Sequence, residues 1–170
     1  MSDVSIRPAT PTDIEAIQSV ARRVWLDHYP GIITHRQIDY MLGTDYSGKA
    51  LNQGFDQGVA IDLLLIGDEV QGFAAYGPAA REDRAKLHKL YLDTSFHGQG
   101  IGSMLLDHVI ERCRCRGIKT LELQVNKHNG KAIRAYEKRG FVRRSALLNP
   151  IGDGYFMDDY VMEIELDHGP

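Results

Sequence analysis

Dense, short apolar runs bounded by glycine or charged residues read as strands at 4–7, 59–66, 70–76, 86–92, 120–125, 141–148 and 155–166. Stretches with apolar positions at helical spacing fall between them. Thr10-Pro11-Thr12-Asp13 is a helix start, with a hydroxyl cap, a proline in the first turn and an early acid; its helix reaches about residue 27. A second, irregular helical region spans 34–55 and is broken by Gly43, Gly48 and Gly54. Gly67-Asp68-Glu69 joins two of the strand runs as a hairpin. Further helices are predicted from the glycines at 98–102 to about 116 and over 129–139. The order β-α-α-β-β-β-α-β-α-β-β holds both hairpins and a strand-helix-strand crossover. It predicts an α/β protein, a mixed sheet with helices on both faces.

With 170 residues and 43% apolar content, the chain suits a single domain over 1–170. It has no repeat, low-complexity tract or linker. No run of 18 apolar residues appears, and MSDVSIRPATPTD carries acids and prolines where a signal peptide needs a basic and then an apolar segment. The expectation is a cytoplasmic protein without a membrane partner. A net charge of -3 and a pI near 6.1 argue against nucleic-acid binding through bulk charge and favour a cationic small substrate. Cys113 and Cys115 are too close for a zinc-ligand pair and do not form C-x-x-C, so they read as reduced thiols and no metal is expected.

The stretch DTSFHGQGIGSMLLDHVIERC sets Gly98, Gly100 and Gly102 at alternate positions before a helix. A Walker loop requires Gly-Lys-Ser/Thr, but Ser103-Met104 follow Gly102. A dinucleotide fingerprint begun at Gly98 needs its third glycine where Ser103 stands. What remains is general physics. Backbone N–H groups from His97 through Gly98, Gly100 and Ile101 to Gly102, beside the positive end of a helix, suit a phosphate or pyrophosphate. A tight strand-to-helix turn without a ligand is the alternative.

Two segments resemble the GNAT superfamily of acetyl-CoA-dependent N-acetyltransferases. KLYLDTSFHGQGIGSMLL is similar to its acetyl-CoA motif, a strand followed by [Q/R]-x-x-G-x-[G/A] and a helix. Gly100 and Gly102 fill the small positions, and His97 stands where glutamine or arginine is usual. NKHNGKAIRAYEKRGF is similar to N-x-x-A-x-x-x-Y-x-x-x-G-F, filled by Asn129, Ala132, Tyr136, Gly140 and Phe141. The resemblance covers nearly the whole chain. It implies a mostly antiparallel, V-splayed sheet of about seven strands with helices on both faces. It also implies acetyl transfer from acetyl-CoA to an amine, and a homodimer.

In such a reaction the enzyme stabilises an oxyanion, accepts a proton from the amine and protonates the departing thiolate. By the resemblance, the backbones of Leu90 and Leu92 hold the pantetheine arm and thioester. Asn129, Ala132 and Tyr136 fall on one helix face at i, i+3 and i+7, where a cofactor could touch all three, and the resemblance implies Tyr136 as the candidate general acid; taken alone, Tyr136 reads as a core aromatic. His88 shares strand parity with Leu90 and Leu92 and is a candidate base, an ordinary imidazole having a pKa of about 6.5; a buried structural histidine is the alternative. Glu82, Asp83 or a water chain to any of these would also serve. A covalent acyl-cysteine at Cys113 or Cys115 is disfavoured, since both sit at the negative end of their helix.

The acceptor cleft is expected from VWLDHYPGIITHRQIDYML and NPIGDGYFMDDY. Trp25, Tyr29 and Tyr40 supply aromatics; Asp153, Asp158 and Asp159, with Tyr155, supply acids and a phenol. Together they suit a cationic amine; aromatics in the core and acids facing water are the alternative. The N-terminal half is similar in layout to spermidine/spermine-type acetyltransferases, which implies a polyamine. A peptide N-terminus or lysine is the main enzyme alternative, and a non-catalytic acetyl-CoA-binding regulatory module is the alternative of another class.

Overall fold

A computed structural model of the chain describes residues 2–166. Its strands are β1 (Val4–Pro8), β2 (Ala60–Ile66), β3 (Glu69–Pro78), β4 (Arg84–Leu92), β5 (Thr120–Asn126), β6 (Val142–Gly152) and β7 (Tyr155–Glu165). Its helices are α1 (Ile14–His28), α2 (His35–Thr44), α3 (Gly48–Asp56), α4 (Ile101–Cys115) and α5 (Gly130–Lys138). The seven strands form one sheet in the order β1-β2-β3-β4-β5-β7-β6. The β1–β2, β2–β3, β5–β7 and β6–β7 pairs are antiparallel, and β4–β5 is parallel. This is the mixed, mostly antiparallel sheet expected of the sequence.

Local chemistry explains the boundaries. Ahead of α1, the Thr10 amide donates to Asp13 Oδ2 at 2.9 Å, and Arg7 grips both Asp13 oxygens at 2.9 and 3.0 Å. The irregular helical region is two helices, and Gly48, one of the three glycines expected to break it, is the first residue of α3. Gly43 lies inside α2 and Gly54 inside α3, while the break falls at 45–47. There Ser47, in extended backbone, accepts from the Ala50 amide at 3.1 Å and starts a new helix. At the β6–β7 turn, Asp153 and Gly154 both have positive φ, +52° and +77°, the conformation that matches hairpin twist.

Two compact units build the chain. The first comprises the chain up to Gly77 with Lys89–Val109. Its core holds Ile17, Val20, Ile38, Leu63, Leu64, Phe73, Tyr76 and Leu105. The second comprises Pro78–His88 with the chain from Ile110 on. Leu121, Leu123, Ile133, Phe141 and Met162 form its core. In that unit the β4–β5 register runs from Arg84 opposite Thr120 to Leu87 opposite Leu123 and stops there, although β4 continues to Leu92. Among the described residues no helix is long and apolar enough to cross a membrane.

Candidate functional site

In the first unit, β4 runs out into the glycine loop. Gly98 and Gly100 have φ of +79° and +78°, where an L side chain is strained, and nothing lies within 4 Å of the position a Cβ would take at either. Glycine is therefore required by backbone conformation, not by crowding. Gly102 differs: it lies in the first turn of α4, where a Cβ would sit 3.8 Å from Leu92 Cδ2, an ordinary distance. The Gly100 carbonyl accepts from the Met104 amide at 3.1 Å, the opening bond of α4. By helix geometry the Ile101, Gly102 and Ser103 amides precede that bond and face outward at the positive end of a 15-residue helix. Such a loop suits an anionic phosphate.

Neighbouring residues pin this loop. His97 Nε2 lies 2.8 Å from the Leu92 carbonyl, and the Asp93 amide donates to the Gln71 carbonyl at 2.8 Å. Arg23 Nε donates to Asp93 Oδ2 at 2.9 Å. Against the upward push of burial, hydrogen bonds from Ser95 and Arg23 hold the Asp93 carboxyl below its usual range. Gly72 on β3 was not singled out in the sequence, yet a Cβ there would stand 2.7 Å from the Tyr91 carbonyl oxygen. The end of β4 can lie where it does only with glycine at 72. A lone glycine inside a strand pattern is the signal for such a close approach.

Of the aromatics proposed for the acceptor, two take the core placement that the sequence left open. Trp25 and Tyr29 are buried and stack at 4.3 Å. The Trp25 indole donates to the Tyr46 hydroxyl at 3.2 Å, and Tyr91 packs against both Trp25 and Tyr46. Lys89 Nζ lies 4.9 Å from the Tyr46 ring centre. Burial pushes the Tyr46 and Tyr91 phenols well above their ordinary range, so both stay protonated as hydrogen-bond donors. Tyr40 is half-buried on α2. Sequence reasoning missed Tyr46, Tyr91 and Lys89, which no local pattern distinguishes from core or surface residues.

In the second unit, the Asn129 side chain caps α5 by accepting from the Ala132 amide at 3.3 Å. Tyr136 is half-buried, its ring edge-on to Phe141 at 5.5 Å, and its carbonyl accepts from the Phe141 amide at 3.1 Å. Gly140, at φ +102°, permits the reversal that returns Phe141 to the helix. The Asn-Ala-Tyr-Gly-Phe spacing is thus a capped helix with a closing turn, presenting Tyr136 beside Ala132. His88 is exposed on β4, as is Glu82 before it. Asp83 uses its carbonyl to accept from the Lys119 amide at 2.8 Å, and its carboxylate pairs with Arg81 at 3.4 Å.

Acids near the β6–β7 turn separate into three environments. Asp153 is exposed at the turn, and Asp158 pairs with Lys127 at 2.7 Å. Asp159 is buried, with no hydrogen-bond partner at Oδ1. Burial, then the Asp158 charge, pushes the Asp159 carboxyl up to about 6 against the pull of Lys86 and Lys127. Tyr155 is half-buried alongside. Burial also pushes the Cys113 thiol up to about 11, leaving it a packing residue, and the Cys115 thiol lies 3.7 Å from Glu111. Among the described residues no three His, Cys, Asp or Glu side chains group to hold a metal ion.

The sequence profile described as Acetyltransferase (GNAT) family matches residues 21–141, well over half of the chain. The chain belongs to the acetyltransferase (GNAT) family. The match takes in both the glycine loop and the Asn129–Phe141 motif. This GNAT chain is 29% identical over 143 residues to the spermidine N(1)-acetyltransferase of Thermoplasma acidophilum, covering 81% of the chain and 88% of that protein. It is 42% identical over 59 residues to the [ribosomal protein bS18]-alanine N-acetyltransferase of Salmonella typhimurium, which spans only 35% of the chain and 40% of that protein. In fold it matches the paia N-acetyltransferase from Thermoplasma acidophilum in complex with coenzyme A, with a TM-score of 0.83 at 24% identity, over 96% of this chain and 99% of that one.

Proposed function

We propose that this protein acts as one domain over 1–170, moving the acetyl group of acetyl-CoA to a primary amine by direct attack in a ternary complex. The acceptor is a small cationic amine of the polyamine kind. The observation that carries this proposal is the pair Gly98 and Gly100 in left-handed backbone at the opening of α4, inside the segment matched by the GNAT family. Amides from His97 to Gly102 hold the pyrophosphate. His97 contributes through backbone, since its ring is committed to the Leu92 carbonyl. Leu90 and Leu92 lie beyond the last β4–β5 pair, which supports their backbones as ligands for the pantetheine arm and thioester. Asn129 and Ala132 line the α5 side, and Tyr136 donates its phenolic proton to the departing thiolate.

Trp25, Tyr29, Tyr40, Asp153 and Tyr155 are the proposed acceptor residues, and the spermidine-acetylating relative supports a polyamine. The locally higher identity to the bS18-alanine enzyme favours a second reading, a peptide N-terminus. Free-thiol release measured across polyamines, amino acids and peptides with an N-terminal alanine separates the two. The polyamine proposal expects the highest kcat/KM with a polyamine. A best substrate among neutral amino acids or peptides overturns it while leaving acetyl transfer intact.

A further inference from the structure

Helix α1 turns a polar stripe toward the start of the glycine loop. Ser19, Arg23 and Asp27 recur every four residues and so share one face of α1. Arg23 spreads its three nitrogens over three partners: Nη1 donates to the Ser19 hydroxyl at 2.9 Å, Nη2 to Gln71 Oε1 on β3 at 3.4 Å, and Nε to Asp93 Oδ2 at 2.9 Å. One turn further along, Asp27 Oδ2 accepts from the Thr94 hydroxyl at 3.0 Å. All of these residues lie in the first unit, and so does the loop.

Asp93 is where helix and loop meet. Its Oδ1 accepts from the Ser95 amide at 3.0 Å and from the Ser95 hydroxyl, which caps the 3-10 turn Thr94–Phe96, and His97 follows that turn directly. The Asp93 side chain is 12% exposed against 45% for Arg23, so the acid is the desolvated partner. A buried carboxylate deprived of its cation keeps an uncompensated charge, and it must take up a proton or move toward water. Either response disturbs the turn it caps. Beyond that turn, nothing lies within 4 Å of where a Cβ would stand at Gly98 or Gly100, so packing at those positions does not hold the loop. Its hold comes from the turn at 94–96, from the His97 ring on the Leu92 carbonyl and from α4.

We propose that Arg23 is a positioning residue for acetyl-CoA: through Asp93 it sets the turn from which the loop amides reach the pyrophosphate. The assignment rests on the proposal that this loop holds the pyrophosphate. Arg23 acts without touching the ligand. The competing account is a direct Coulomb pull of the guanidinium on the phosphates, and the two differ in sign at Asp93. Removing the Asp93 charge strengthens the attraction for an anion by the Coulomb account, whereas it weakens binding if the ion pair shapes the loop.

The test is calorimetric titration of acetyl-CoA into wild type, Arg23→Met, Arg23→Lys, Asp93→Asn and Arg7→Met, with a thermal melt of each to show that it is folded. Arg23→Met and Asp93→Asn should each raise Kd about tenfold. Arg23→Lys keeps the cation and a donor for Asp93 but not the three-way fork, so its Kd should fall between those of wild type and Arg23→Met. Arg7→Met removes the same charge from the same unit by breaking the Arg7–Asp13 pair ahead of α1, and it should leave Kd unchanged. Tighter binding by Asp93→Asn, an unmoved Kd in folded Arg23→Met, or an equal loss in Arg7→Met overturns the assignment. Absence of acetyl-CoA binding by wild type instead ends the proposal for the loop, and this assignment with it.

Discussion

At the scale of single residues, the burial of Asp159 makes stability depend on pH. Its folded-state carboxyl is raised from 3.8 to about 6, so the fold binds the proton more tightly than the unfolded chain does. The stabilisation it adds is full below 3.8 and is lost as pH rises through about 6. Asp159→Asn, which cannot ionise, should therefore be more stable than wild type at pH 8, on the order of 2 kcal/mol, with a much smaller difference near pH 4. Thermal melts at the two pH values check this, and an equal difference at both would contradict it. Among individual residues, Asn129 and the loop glycines were legible because capping and left-handed turns are local. The burial of Asp159 was not. Asp153, Asp158 and Asp159 look alike in sequence, and only the pleat and the neighbouring strands decide which one is desolvated.

Among the elements, α4 and the loop before it join sequence to proposed function most directly. Since nothing lies near the missing Cβ of Gly100, Gly100→Ala imposes only the cost of a left-handed backbone, about 1–2 kcal/mol. The loop should relax away from that conformation, and acetyl-CoA affinity by calorimetry should fall about tenfold or more while the melting temperature changes little. Unchanged affinity would remove the loop conformation from binding. Strands and helices were readable to within a few residues because apolar periodicity and caps are short-range signals. Of the three glycines expected to break the region of α2 and α3, only Gly48 marks the division, as the first residue of α3. Gly43 carries no positive φ and is tolerated inside a helix, whereas the Ser47 cap, a less conspicuous signal than glycine, sets the break. The close passage of Tyr91 over Gly72 was equally invisible, being a contact between strands.

For the whole molecule, the GNAT assignment was legible from two motifs in order, while the acceptor was not. Trp25, one of the aromatics offered to it, packs against Tyr46 and Tyr91, contacts set by tertiary packing and not by a local pattern. A slightly acidic chain with a polycationic acceptor should show charge-dependent binding, so added salt should raise KM for spermidine more than for a neutral amine. Equal salt effects on both would argue against charge recognition. The most direct measurement of the central claim is free-thiol release by wild type supplied with acetyl-CoA and a panel of polyamines, amino acids and peptides, alongside calorimetric titration of acetyl-CoA. Acetyl transfer predicts binding together with amine-dependent release of one thiol for each amide formed. Tight acetyl-CoA binding with no thiol released for any amine would contradict it and make the protein an acetyl-CoA-binding module.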